Sequence, residues 1–298
     1  MANLKEVRDR IKSVKNTQQI TKAMKMVAAS KLRRAQMAIT QMRPYANKLN
    51  EMLVNILSNL EGDANTAFGK ERPIESVCMV VVTSNKGLCG AFNNNVIKAA
   101  AAKIDKEYEA VRKAGKLTIL PIGKKGYESF KKRYPECTII TDHIALFNDL
   151  SFDNVAKVSQ QLMDSFEAGE YDVVDAAYGR FRNAAVQFPE CVQFLPVAKL
   201  APKEGDAGTK HKADYIFEPN KEDLLKHLVP SILQTQFQKF VLDTHASEHG
   251  ARMTAMDAAT ENAEELVKEL KISYNKARQE AITKELSEIV GGAAALEG

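Results

Sequence analysis

The chain has 298 residues, 45% of them hydrophobic and 27% charged, with a net charge of +4, enough apolar material for one or two domains with buried cores. No run of about eighteen apolar residues occurs, and the basic N-terminus has no apolar stretch behind it, which argues against a membrane-spanning helix and against a secretory signal or transit peptide. Four cysteines (Cys78, Cys89, Cys137, Cys191) show no metal-like or redox-like spacing and point to a reducing compartment.

From Met1 to Glu61 only Pro44 interrupts a run without glycine or proline. Stepping by three and four from Leu4 through Val7, Ile11 and Val14 to Leu60 gives seventeen positions, fourteen of them apolar. That spacing predicts a coiled-coil seam. The polar exceptions are Gln18, Thr21 and Lys25, while Met24, Met26 and Val27 place apolar surface off the seam. A helix apolar on more than one side is expected to be gripped on more than one side, and flexible methionines tolerate altered contacts.

After Gly62 short β-rich runs alternate with helical patterns: strands at Val77–Thr83, Leu117–Ile122, Thr138–Thr141, Val173–Tyr178, Val186–Phe188 and Val192–Val197, and helices at Asn93–Arg112, Lys124–Tyr134 and Asp153–Phe166. This rhythm predicts a Rossmann-like, open, largely parallel sheet covered by helices. Ala201–Lys212 reads as a polar loop. From about Glu222, and without proline after Pro230, the chain returns to a helix long enough for a rod on the order of 90 Å. Its apolar seam runs through Met253, Met256, Ala263, Val267, Leu270, Tyr274 and Ala277, then slips to Ile282, Leu286, Ile289 and Ala293. The slip predicts a stutter or the exit of one helix from the pair. Residues 1–43 carry +9 and residues 221–298 carry −4, opposite signs that favour pairing of the two helices and leave positive charge for an acidic partner. The expected organisation is an N-terminal coiled-coil helix (1–62), a Rossmann-like domain (70–218) inserted between the helices, and a C-terminal coiled-coil helix with an apical tip (219–298), the two helices forming an antiparallel coiled coil.

Signals for chemistry are weak. The turn Thr83–Asn93 (TSNKGLCGAFN) opens a helix after a strand, as a phosphate cradle does, yet Gly87-x-x-Gly90 is not G-x-G-x-x-G. Gly123-Lys124-Lys125-Gly126 reads as a surface turn. His245 and His249 have zinc-pair spacing without an evident third ligand, and read as solvated or interface residues. No catalytic constellation emerges. The alternatives from residues alone are a Rossmann-type nucleotide-binding enzyme and a basic coiled-coil nucleic-acid-binding protein.

Four segments carry a resemblance that covers essentially the whole chain: Ile20–Gln36 (ITKAMKMVAASKLRRAQ), Thr83–Asn93, Ser247–Ala263 (SEHGARMTAMDAATENA) and Tyr274–Leu296 (YNKARQEAITKELSEIVGGAAAL). The sequence resembles the gamma subunit of bacterial F-type ATP synthases. Asn85-Lys86 stands where that family often has Asp-Arg, and the regulatory cysteine pair of the chloroplast type has no counterpart in Leu195–Tyr215. The resemblance implies a non-catalytic central rotor shaft that couples ion-driven rotation of a membrane ring to conformational cycling of three catalytic beta sites. It also implies an influence on ATPase activity and ion flow. The implied partners are the alpha, beta and epsilon subunits and the rotor ring, with no cofactor, metal ion, nucleic acid or small-molecule substrate. The implied location is peripheral, on the cytoplasmic face of the bacterial inner membrane. By motif matching, Arg278, Gln279 and Thr283 contact a loop of the open catalytic subunit. Lys22, Met24 and Lys25 face the acidic lever of a beta subunit, Lys86 to Cys89 lie against the same underside, and Arg252 joins the charged neck. Ile289, Gly291, Gly292 and Leu296 belong to the apical bearing.

Overall fold

The computed structural model describes residues 4–58, 67–69, 72–197 and 221–296. Two compact units emerge from the Cα framework, Met1–Ala28 with Arg252–Gly298 and Ala29–Ala251. Helix α1 (Leu4–Ser58) and helix α6 (Lys221–Leu296) each contribute to both. The expected Ala201–Lys212 loop lies outside the described residues.

Within the larger unit the strands are β1 (Val77–Val82), β2 (Leu117–Ile122), β3 (Thr138–Ile139), β4 (Val173–Phe181) and β5 (Gln187–Leu195). They form one sheet in the order β3-β2-β1-β4-β5. The first four are parallel and β5 is antiparallel to β4. All six β1 residues are buried, because helices cover both faces of a parallel sheet and its central strand has no wet side. Alternation sends Cys78, Val80 and Val82 to one face and Val77, Met79 and Val81 to the other, as the two-residue pleat requires. The first face packs against α5 (Phe152–Glu167) through Leu162 and Phe166, and against the opening third of α6 through Phe237 and Val241. The second packs against α2 (Phe92–Glu107) and α4 (Lys124–Arg133) through Val96, Ile104 and Phe130.

Two elements differ from the sequence reading. The helix expected over Asn93–Arg112 breaks at Tyr108, leaving α2 and a short α3 (Glu109–Lys113), with the Tyr108 hydroxyl turned inward to donate to Asp175 Oδ2 at 2.7 Å. The two short strands expected at Val186–Phe188 and Val192–Val197 are one strand, β5, running through Pro189. Proline is tolerated there because β5 is an edge strand, where one missing N–H leaves no ladder partner stranded. Helices α1 and α6 continue through Pro44 and Pro230, each proline forfeiting one helical hydrogen bond within a helix whose buried neighbours, Ile39 and Leu49 or Val229 and Ile232, fix its course.

In the smaller unit α1 and α6 run antiparallel. Thr21 Oγ1 lies 2.7 Å from Thr260 Oγ1, and one turn further along α1, Lys25 forms an ion pair with Asp257, three residues back along α6. Val7, Thr21, Ala28, Met256, Ala263 and Val267 are buried in this unit. Every predicted seam position of α1 from Leu4 to Leu49 is buried or half-buried. On α6 the seam holds to Ala277, and every residue from Arg278 to Ala293 is exposed. The register explains the change: continued along the pair, it brings Leu4 opposite Ala277.

Candidate partner-binding surface

The turn after β1 is built from its own hydrogen bonds. Ser84 N and Ser84 Oγ both donate to Asn93 Oδ1, each at 3.0 Å, and Asn93 Nδ2 lies 3.2 Å from Cys89 Sγ. At the start of α4, opened by the Gly123–Gly126 turn, the amides are already engaged. Lys124 N donates to Asn85 Oδ1 (3.2 Å), Lys125 N to Ser84 O (3.1 Å) and Gly126 N to Thr83 Oγ1 (2.8 Å). A helix N-terminus binds anions through free N–H groups; here the neighbouring turn consumes them.

What the turn presents outward differs from the sequence expectation. Lys86 is exposed, but Cys89 is buried and packs into the core beneath α2. The residue that projects is Leu88, 65% exposed and held at φ 61°, a left-handed conformation rare for a branched side chain. A leucine between Gly87 and Gly90 was the available signal. The other three cysteines are unreactive: burial pushes the thiols of Cys78 and Cys191 up to about 12 and that of Cys137 up to about 11, so thiolate is scarce.

On α1, Lys22 is exposed, Met24 half-buried, and Lys25 half-buried and committed to Asp257. Near them Ile20, Met26 and Val27 face outward, as do Met37 and Tyr45 further along α1. Arg252 is buried. Arg278, Gln279 and Thr283 are exposed, and beyond them Ile282, Leu286, Ile289 and Val290 form an apolar face of which each member is roughly half or more exposed. A Cβ built on Gly291 or Gly292 meets nothing within 4 Å. Leu296 closes α6, but its side chain lies outside the described residues. His245 and His249 are not solvated: His249 is buried, the two Nε2 atoms are 3.0 Å apart, and Phe147 stacks on His245. Among the described residues no cluster of three metal-type ligands occurs, and no described helix is long and apolar enough to cross a membrane.

The chain thus combines an α/β sheet domain with two long helices that pair antiparallel, Arg278 to Ala293 of one being left exposed. A family profile described as ATP synthase matches residues 3–296. The ATP synthase gamma chain of Flavobacterium psychrophilum is 52% identical over the full length of both chains, and that of Cytophaga hutchinsonii is 50% identical over 99% of each. Among solved structures, a chain of the Euglena gracilis mitochondrial ATP synthase (OSCP/F1/c-ring) superposes with a TM-score of 0.65 over 98% of this chain and 94% of its own, at 22% identity. A chain from the central stalk and c-ring of the Tetrahymena thermophila mitochondrial ATP synthase superposes with a TM-score of 0.54 over 80% and 99%, at 24% identity. The chain belongs to the ATP synthase gamma chain family. Its full-length relatives are named gamma chains, one subunit of an ATP synthase.

Proposed function

We propose that this chain is the rotor shaft that couples ion-driven rotation of a membrane ring to conformational cycling of the three catalytic beta subunits, and thereby governs ATPase activity and ion flow. The observation that carries this reading is the bare stretch of α6 from Arg278 to Ala293, where an apolar face is exposed with no partner among the described residues of its own chain. Apolar surface of this kind marks an interaction site, and one asymmetric shaft inside a ring of three catalytic sites biases each toward a different state. In this reading Arg278, Gln279 and Thr283 hydrogen-bond a loop of the open beta subunit, and a planar guanidinium suits a carboxylate there. Ile289, Gly291, Gly292 and Leu296 turn in the apical sleeve. Lys22, Met24 and Lys25 meet the acidic lever of beta, with Lys25 leaving Asp257 to do so, and Arg252 stiffens the neck. The turn from Lys86 to Cys89 presents Lys86 and Leu88 to the same underside.

The Rossmann-like domain, taken as 70–218 between coiled-coil segments 1–62 and 219–298, holds epsilon and the rotor ring. The site of action is the cytoplasmic face of the bacterial inner membrane. The test is native mass spectrometry of the full chain mixed with alpha and beta, followed by an ATPase assay. One copy per three alpha and three beta, with activity dependent on its presence, is expected; a monomer or homodimer that ignores both subunits would overturn the reading.

A further inference from the structure

A cleft of about 650 Å³ opens between α1, the β4–β5 edge and α6, within the larger unit. Its floor is apolar, made by Leu49, Phe194, Val229, Ile232, Leu233 and Phe240. Asp243 also lines it, only 3% exposed. Among the described residues no hydrogen bond or ion pair reaches its carboxyl. Three cations from three different elements face this carboxyl: Arg43 on α1, Arg180 on β4 and Lys239 on α6. Glu190 on β5 is the opposing acid, and it is bound to Arg180 and to the Tyr178 hydroxyl.

With Arg180 held by Glu190, Arg43 and Lys239 outweigh Asp243, and the balance turns further positive when Asp243 is protonated. An amine is therefore repelled and an anion attracted. A carboxyl kept neutral by burial, as Asp243 is at mildly acid pH, donates a hydrogen bond to an anionic headgroup, while the floor takes an aliphatic tail. The geometry points to a binding site for a single-tailed amphiphile with one anionic headgroup, gripped by Arg43 and Lys239 at the mouth and by Asp243 within. Carboxylate and phosphate headgroups share this chemistry.

The experiment is calorimetric titration of the full-length chain with dodecanoate and with dodecyl phosphate, each below its micelle concentration, between pH 5.5 and 8. Acetate, inorganic phosphate and dodecyltrimethylammonium serve as comparison ligands. Saturable one-to-one binding of the two anionic amphiphiles is expected, at least about tenfold tighter than the ammonium of equal tail, with the stronger of the two identifying the headgroup. For dodecanoate, ionised over most of this range, affinity should fall as pH rises, and Asp243→Asn should abolish that dependence. Arg43→Gln with Lys239→Gln, both at exposed positions, should weaken binding about tenfold or more, the helix signal in circular dichroism serving as a folding check. Equal binding of the ammonium, binding of headgroup without tail, indifference to Arg43→Gln/Lys239→Gln, or no saturable binding would each overturn the site.

Discussion

Thr21 Oγ1 and Thr260 Oγ1 meet at 2.7 Å across the pair formed by α1 and α6. Each hydroxyl also reaches a carbonyl of its own helix, Thr21 to Gln18 O at 3.0 Å and Thr260 to Met256 O at 2.7 Å. A hydroxyl has one proton, so one threonine donates across the seam and the other back to its helix. A polar pair in an otherwise apolar seam fixes register at some cost in stability. Thr21→Val should lower the stability of the pair by about 1 kcal/mol, and Thr21→Val/Thr260→Val should lose less than the sum of the singles. Urea unfolding of the four chains, followed by helix content, closes this cycle.

Gly123 begins α4 at φ 101°, and a Cβ there would lie 2.1 Å from the Thr83 carbonyl oxygen. Both strain and collision involve backbone, which cannot swing aside. Gly123→Ala should cost about 3 kcal/mol or more and appear as a sharp fall in denaturation midpoint. Gly291→Ala, in open space on an exposed helix, should instead stabilise the helix by about 1 kcal/mol, visible as increased helicity.

The pattern of the long helices was legible because periodicity reports directly which residues face a partner. The step of three and four from Leu4 reached Val7, Leu32, Ala35 and Ile39, all buried, and the slip after Ala277 marked where pairing ends. Strand positions were legible for the same reason: Leu117–Ile122 is a mostly apolar run, interrupted by Thr118, between Gly115 and Gly123. What the pattern could not carry was side-chain direction inside turns. Cys89 and Leu88 are neighbours, yet a positive φ at Leu88 turns it outward and leaves Cys89 inside. Asp243 lies in an apolar run, Phe240-Val241-Leu242, and only tertiary packing brings Arg43 and Arg180 to it.

Asp175 sits wholly buried on β4, with Lys103 Nζ at 2.7 Å and the Tyr108 hydroxyl at 2.7 Å on the same oxygen. Removing the cation strands a buried charge, which costs more than the pair contributes. Lys103→Met should therefore destabilise by about 3 kcal/mol, and Lys103→Met/Asp175→Leu should recover much of the loss. A thermal unfolding series distinguishes this from simple additive damage.

The Asp243 carboxyl is pushed up to about 6 by burial, against the pull of Lys239, Arg43 and Arg180. A folded-state value above the unfolded one means that the contribution to stability is complete below about pH 4 and is lost as pH rises through 6. At pH 8 the ionised group should cost on the order of 3 kcal/mol. Asp243→Asn removes that cost, so the variant should melt above the parent chain at pH 8, the gap closing by pH 4. A constant gap, or one that widens in acid, contradicts this account.

Arg278 and Gln279 lie beyond the last paired turn, exposed and touching no core. Their replacement by alanine removes nothing the isolated chain uses, so its melting should stay within about 0.5 kcal/mol of the parent. Under the proposed contact with the open beta subunit, the same change in the assembled complex would delete a charge-assisted hydrogen bond. At about 1.5–3 kcal/mol that corresponds to a loss of about tenfold or more in ATP synthesis and hydrolysis. Wild-type rates from a fully assembled Arg278→Ala/Gln279→Ala complex would remove these residues from the coupling path. Deleting residues 291–298 separates the bearing from a structural staple: assembly should persist with reduced rotation-dependent activity, because no described contact within the chain depends on Gly291 or Gly292. A truncated chain that no longer assembles at all would mean that the tail holds the hexamer together rather than turning within it.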